Sequence, residues 1–237
     1  PTLTVAGPGG STVYRTSVTF TASISATTGD LNGTGSVSFS DGTTPIAGCQ
    51  NVVLASGTAR PATATCTTAD LTAGVHTVRA SYSGNANFAA TDGTTGHTVT
   101  KAPTTIVVSS SGLSTLGDAT TFTAIISATD GILGGTVAFT DGTKTLCAAA
   151  TPVKTATGTW IATCTTTDLS GGTRTIGATY SGGANYFGSS NTTTHLVLPA
   201  APVLFYSDPS YVSVSTGTTA TVTLRSTTSI ASCSPLY

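Results

Sequence analysis

The chain has 237 residues, a net charge of −1 and only 7% charged side chains. Nucleic-acid surfaces and docking on anionic lipid both need clustered Lys and Arg, so this composition argues against either partner. No run of 18 or more apolar residues occurs, which argues against insertion into a membrane. The 55 Thr and 27 Gly, with no Glu and no Met, favour strands over helices and predict an all-β chain.

The chain contains two copies of one unit, which we place at 1–101 and 102–198. VTFTASISAT at 18–27 matches TTFTAIISAT at 120–129, GSVSFSDGT at 35–43 matches GTVAFTDGT at 135–143, and ATCTTADLTAG at 64–74 matches ATCTTTDLSGG at 162–172. Within each copy, short runs alternate apolar and polar residues and are separated by Gly, Asp and Asn. This pattern predicts one antiparallel β-sandwich per repeat.

Seven strands are expected in repeat one. Their predicted ranges are 2–6, 17–26, 35–41, 45–54, 59–67, 75–83 and 94–101. Asp41-Gly42 and Asp141-Gly142 are hairpin signals, and Asp is favoured there for backbone reasons.

Four of the five cysteines recur with the repeats. Cys49 and Cys66 are 17 residues apart, as are Cys147 and Cys164. If the flanking strands form a hairpin, each pair occupies directly opposed positions, close enough for a disulfide. Two cysteines per repeat without a recurring His beside them cannot complete a tetrahedral metal shell, so we expect disulfides, an oxidising compartment and no metal site.

The cluster SYSGNANF at 81–88 returns as TYSGGANYF at 179–187. Its Tyr can bury a ring while the hydroxyl stays bonded, its Gly permits an unusual backbone, and its second Asn can cap the turn. The sequence therefore predicts a structural corner that every copy of the sandwich needs, rather than a duplicated binding loop.

Residues 199–237 do not continue the repeat. The run YVSVSTGTTATVTLRS at 211–226 alternates twice around a Thr-Gly turn, and two strands alone are marginal in water. We expect part of a third β module or a tail that donates strands to another chain. Cys233 then pairs with a partner beyond residue 237, pairs with another chain, or stays free.

The spaced motifs resemble a known family. VTFTASISA, GSVSFSDGT, LTAGVHTVRASYSGNANF and TVTKA occur in order in repeat one, and most of them return in repeat two. Each repeat resembles a bacterial Ig-like domain of the group found in tandem in large secreted proteins. The resemblance implies an Ig-like sandwich and a secreted or cell-surface setting, but it implies no chemistry.

Catalytic residues are not evident. His97 and His195 share one position on the last strand and are interpreted as surface or edge residues. His76 is replaced by Arg174, which suggests a tolerant exposed site. Asp70 and Asp168 are assigned to turns, so no pair of carboxylates facing a cleft is predicted. We therefore expect a non-catalytic protein without a cofactor.

Two functional classes remain open. One is a structural or adhesive module: a semi-rigid stalk or filament subunit, joined to copies of itself or to other surface proteins through β-edges and the 199–237 tail. The other is an accessory region of a larger secreted hydrolase, either a spacer or a polysaccharide binder. Trp160 is the candidate for stacking on a glycan, although a lone Trp in a strand more often serves packing.

Overall fold

The computed structural model describes residues 1–26, 31, 35–55 and 61–200. All regular secondary structure in these ranges is β-strand, as the composition predicts. No helix that could cross a bilayer is found in the same ranges.

Repeat one folds as two sheets that face each other. Its strands are β1 (Thr2–Ala6), β2 (Ser11–Val13), β3 (Val18–Ser25), β4 (Ser36–Asp41), β5 (Thr44–Pro45), β6 (Val52–Val53), β7 (Ala62–Thr68), β8 (Gly74–Tyr82) and β9 (Thr91–Thr100). One sheet has the order β1-β3-β7, and the other has the order β2-β9-β8-β4-β5 with β6 also paired to β4. All pairs are antiparallel except β2 with β9.

Repeat two has the same plan. Its strands are β10 (Thr104–Ser110), β11 (Ser114–Thr115), β12 (Thr120–Ala128), β13 (Val137–Asp141), β14 (Lys144–Ala150), β15 (Val153–Lys154), β16 (Trp160–Thr166), β17 (Gly172–Tyr180) and β18 (Ser189–Leu198). The sheets have the orders β10-β12-β16-β15 and β11-β18-β17-β13-β14. The predicted tandem sandwiches are confirmed.

The core of each repeat follows the period of two, because successive side chains of a strand point to opposite faces. In β3, Val18, Phe20, Ala22 and Ile24 are buried while the Thr and Ser between them are at least partly exposed. Phe39 faces this set from β4 and is fully buried. The abundant Thr therefore occupies mainly the outer faces, where its β-branch suits a pleated surface.

Disulfides are present at both predicted pairs, Cys49–Cys66 and Cys147–Cys164. The hairpin geometry expected for them is wrong. Cys147 lies in β14, which pairs with β13, whereas Cys164 lies in β16 of the opposite sheet. Each disulfide therefore joins the two sheets through the core.

The predicted strand 45–54 is also wrong in repeat one. Pro45 ends β5 after two residues, and a turn with Gly48 and Asn51 at positive φ separates it from β6. Pro removes a ladder donor and is compatible with a sheet edge, so the edge is interrupted here. Repeat two has no Pro at this place, and β14 runs for seven residues.

Candidate functional site: the joint between the two sandwiches

The corner of each repeat is built as the sequence suggests. Gly84 and Gly182 have φ of +74° and +82°, and in each case an added Cβ would lie 2.8 Å from a backbone atom of the same loop. Tyr180 is buried, and its hydroxyl donates to the carbonyl oxygens of Leu133 and Gly134. Burial raises the pKa of Tyr180 to about 12, so this hydroxyl stays protonated as a donor.

The capping Asn differs from the prediction. In repeat one it is Asn85 whose side-chain oxygen accepts from the amides of Asn87 and Phe88. In repeat two, Gly183 stands at that position. The second Asn of the motif, Asn185, instead reaches out of its own domain. Its Oδ1 accepts a hydrogen bond of 2.8 Å from the amide of Ala73 in repeat one.

The connecting segment is tied to the same corner. Ala102 is fully buried, and its amide donates to the carbonyl of Asn185 at 2.9 Å. The carbonyl of Ala102 in turn accepts from the amide of Phe187 at 2.9 Å. The Lys101 ammonium donates to the carbonyl of Gly183 at 2.8 Å. The linker is thus held by main-chain bonds rather than left as a free tether.

Two tyrosines form the apolar centre of the joint. Tyr14 follows β2 and Tyr186 lies in the second corner; their rings meet edge to face with centroids 5.4 Å apart. Both rings are buried. The Tyr186 hydroxyl donates to the carbonyls of Thr129 and Asp130, and burial raises its pKa. An edge-to-face aromatic pair contributes about 0.5–1.5 kcal/mol beyond its buried area.

Arg15 lies beside the Tyr14–Tyr186 pair and contacts both domains. Its Nε donates to the carbonyl of Asp130 across the joint at 3.1 Å, and it forms an ion pair with Asp70 of its own domain. Its guanidinium carbon lies 5.2 Å from the centroid of the Tyr14 ring. Arg15 also has φ of +68°, a left-handed conformation that is unfavourable for a side chain larger than Gly. The residue is held in this conformation at the point where it spans the two domains.

The loop after β12 completes the joint. An added Cβ at Gly131 would lie 2.5 Å from the Tyr186 hydroxyl oxygen and 3.0 Å from that of Tyr14, so only Gly fits here. The neighbouring Asp130 pairs with the Lys154 ammonium at 2.8 Å, and this contact lowers the pKa of the Asp130 carboxyl.

The other pole of repeat two has different residues at the corresponding positions. Equivalent backbone bonds, Tyr14 amide to Thr100 carbonyl and Leu116 amide to Leu198 carbonyl, both at 2.8 Å, fix the correspondence. Leu116, Gly117 and Gly171 therefore stand where repeat one has Tyr14, Arg15 and Ala73. The Tyr and Arg side chains of the joint are specific to the end of repeat one that meets repeat two.

The histidines are not surface residues, contrary to the sequence interpretation. His97 and His195 are 4% and 3% exposed, and their Nε2 atoms lie 2.8 Å from the hydroxyls of Thr12 and Ser114. Each packs edge to face on a core Phe. Burial lowers the pKa of His97, with a smaller contribution from His76 on the neighbouring strand.

His76 and Arg174 are likewise structural rather than tolerant positions. His76 is buried, and its Nδ1 lies 2.7 Å from a carboxylate oxygen of Asp41. In repeat two Arg174 Nε donates to the buried Asp141 at 2.8 Å. Asp41 and Asp141 therefore each have a basic partner on the adjacent strand. The sequence pattern, which assigned both residues to turns, did not predict these partners. Since each carboxylate is engaged within its own sheet, these residues support packing rather than catalysis.

Trp160 is half buried and packs against the core of repeat two. The Lys154 ammonium lies 5.9 Å from the centroid of its ring, and Lys154 also pairs with Asp130. The glycan-stacking role of Trp160 stays a prediction. The Lys154 ammonium lies over the face of the indole ring on which a sugar would have to stack. Cys233 and the rest of 201–237 lie outside the described residues. Within the described ranges no group of three His, Cys or Asp side chains is placed to hold a metal ion.

The bacterial Ig-like domain (group 3) family matches residues 4–100 and 107–198, which together cover most of the chain and coincide with the two sandwiches. The chain belongs to this family. The search of curated protein sequences found no match to the chain.

Solved structures with similar folds come from several kinds of protein. The tetra-tandem repeat in the extending region of a large adhesion protein is 21% identical, with a TM-score of 0.48, over 81% of this chain and 48% of that one. The fibronectin(III)-like modules of Clostridium thermocellum CbhA are 15% identical, with a TM-score of 0.34, over 86% and 99%. The titin domains Z1Z2 in complex with telethonin are 12% identical, with a TM-score of 0.39, over 85% and 95%. These likenesses concern the fold and carry no argument about ligands.

Proposed function

We propose that this chain is a non-catalytic, extracellular structural module in which two Ig-like sandwiches act as one semi-rigid rod. The joint is the observation that supports the proposal. Side-chain and main-chain bonds, a buried tyrosine pair and a linker with the fully buried Ala102 connect the two domains. Inter-domain contacts of this kind restrict relative motion, which flexible linkers do not.

The extracellular setting is supported by the disulfides. One bond closes each sandwich, and such bonds persist in oxidising compartments. The family assignment is consistent with secretion. A role as a spacer within a secreted hydrolase remains the alternative for the same rod, since both roles require fixed separation and orientation of whatever is attached to its ends.

Relative orientation tests the rod. Residual dipolar couplings measured on ¹⁵N-labelled protein yield one alignment tensor for each repeat. A semi-rigid joint gives the same tensor for both repeats. A control with Gly-Gly-Ser inserted between Lys101 and Ala102 should give two different tensors, because the bonds of Ala102 cannot then form in register. Two different tensors in the unmodified protein would contradict the proposal.

We also propose that β14 is the edge at which this module accepts an added strand. β14 ends its sheet, spans Lys144–Ala150, and carries one charge at its first residue and small side chains at its end. Long edges with few charges are templates for strand addition, and β14 is uncharged after Lys144, whereas Pro45 interrupts the matching edge of repeat one. The proposed donor is the run 211–226 of another copy.

Truncation tests strand addition. Sedimentation velocity should show that assemblies of the full chain larger than a dimer are lost when it ends at residue 200, and also when Ala149→Lys places a charge on the edge. The matched control is Thr44→Lys on the interrupted edge of repeat one, which should have no effect. If the assembly state of the truncated protein equals that of the full chain, strand donation is wrong.

A further inference from the structure

Repeat two carries a straight row of apolar side chains on the outside of its four-stranded sheet. Val107, Ile125, Ile161 and Val153 are directly opposed neighbours on β10, β12, β16 and β15. Val107 is 58% exposed, Ile125 37% and Val153 66%, while Ile161 in the interior of the row is partly exposed. Single exposed apolar residues are ordinary, but a contiguous row across every strand of a sheet is characteristic of a binding surface.

The row is not required by the fold. In repeat one, the register places Thr4, Ser23 and Thr63 in the corresponding row of directly opposed positions. The same sandwich is therefore built with a polar row in one copy and an apolar row in the other. Residues on either side of the row in repeat two, such as Thr123 and Thr163, keep the Ser and Thr character of repeat one. The difference between the copies is confined to one line of side chains.

We propose that this row is a self-association surface, on which the outer face of repeat two stacks against the same face of a second copy of the chain. The alternating outward positions of β10, β12 and β16 are Thr, Ser, Val and Ile and include no charged side chain. A charged partner thus finds no complementary group on this face. The same face of a second copy can pack against it without repulsion between like charges. An isologous contact requires this self-complementarity.

The size of the face indicates the strength of the contact. β10, β12 and β16 lie about 4.8 Å apart and are at least seven residues long at about 3.3 Å each, so they span about 14 Å by 23 Å, and the two residues of β15 add a short edge. Two copies therefore bury on the order of 700 Å² in total, which lies below the range of stable interfaces and corresponds to a weak, reversible dimer. Because repeat one has the polar row, the contact closes at two copies instead of growing through both repeats.

The experiment uses the full chain at increasing concentration, with sedimentation velocity and ¹³C-methyl NMR of the isoleucines. We expect a dimerisation step with a Kd on the order of 100 µM that is separate from any assembly through the run 211–226. The δ1-methyl signals of Ile125 and Ile161 should shift with concentration, whereas that of Ile46, buried in repeat one, should not. A chain that stays monomeric with unmoved methyl signals overturns the proposal.

The matched variant carries Val107→Thr, Ile125→Ser and Ile161→Thr, which installs the row of repeat one in repeat two. Its Kd should rise at least about tenfold. The single variant Val107→Lys, at a 58% exposed position, provides a second test in case the triple variant does not fold. Dimerisation that survives both variants, or that disappears on truncation at residue 200, overturns the proposal. Retention of a monomeric wild-type chain on an apolar resin, lost in the variant, would indicate a different occupant and also overturn it.

Discussion

Replacing Arg15 by Gly should loosen the joint while leaving the sandwich of repeat one stable. Arg15 has φ of +68°, and the corresponding residue of repeat two is Gly117 with φ of +92°. A left-handed conformation costs a non-Gly residue about 1–2 kcal/mol, which the substitution removes. Within repeat one it also removes the exposed ion pair with Asp70, about 0–1 kcal/mol, and the cation over the Tyr14 ring, about 0.5–1 kcal/mol. The greater entropy of the unfolded chain costs about 0.4–1 kcal/mol more. These terms offset one another within about 1 kcal/mol.

The joint has no such compensation. Arg15→Gly removes the hydrogen bond from the charged guanidinium to the Asp130 carbonyl across the joint, which contributes about 1–2 kcal/mol. A loss of about 1–2 kcal/mol shifts the equilibrium between docked and undocked domains by roughly 5- to 30-fold. The variant should therefore fold as well as the wild type and yet lose the common alignment of its repeats.

Two measurements on the same sample test this reasoning. Guanidinium denaturation gives the free energy of unfolding, and residual dipolar couplings give one alignment tensor per repeat. Arg79→Ala is the matched control, since it removes the exposed Arg79–Asp92 ion pair of repeat one without touching the joint. The reasoning is refuted if Arg15→Gly destabilises repeat one by more than about 2 kcal/mol, or if the two tensors remain equal.

Three further outcomes are expected. Gly131→Ala should lower the free energy of unfolding by about 1–3 kcal/mol, because the new Cβ clashes with the hydroxyls of Tyr14 and Tyr186. Gly171→Ala is the control and should be near neutral, since nothing lies within 4 Å of its new Cβ. Equal effects of the two substitutions in thermal or chemical unfolding would contradict the clash. Replacing Cys49 and Cys66 by Ser should lower the free energy of unfolding by about 3 kcal/mol, and a change below about 1 kcal/mol would show that the bond does not limit the unfolded state. Burial lowers the pKa of His97 below the unfolded value of 6.5, so the unfolded chain binds the proton more tightly and the stability of repeat one should fall as pH drops through about 6.5. In denaturation curves at pH 5 and 7.5, His97→Gln should reduce this loss of stability. If the loss is unchanged in the variant, His97 is not its source.

Periodicity predicts most of the fold because each sandwich is a set of half-buried strands. Val18, Phe20 and Ile24 alternate with Thr and Ser, and the structure buries all three. Spacing also gives the correct cysteine partners. The hairpin expected around Cys49 and Cys66 fails because directly opposed pairing holds only between strands of one sheet, whereas these two cysteines belong to opposite sheets.

The joint could not be read from periodicity, because its contacts connect residues far apart in sequence. Ala73 and Asn185 are 112 positions apart, and nothing in either local pattern points to the other. One signal was present in the comparison of the two copies. Arg15 stands where repeat two has Gly117, and an Arg at a position compatible with positive φ implies a contact that offsets the strain.

The duplicated corner therefore has two roles: it forms a turn in both repeats, and in repeat two it also contacts the preceding domain. In both copies Gly84 or Gly182 makes the turn, so the motif recurs because the sandwich needs it. In the second copy, the Asn185 side chain binds the preceding domain, and Tyr186 provides the ring on which Tyr14 packs. A repeated motif is thus a sound guide to what every module requires. The residues by which its copies differ show where one module contacts another.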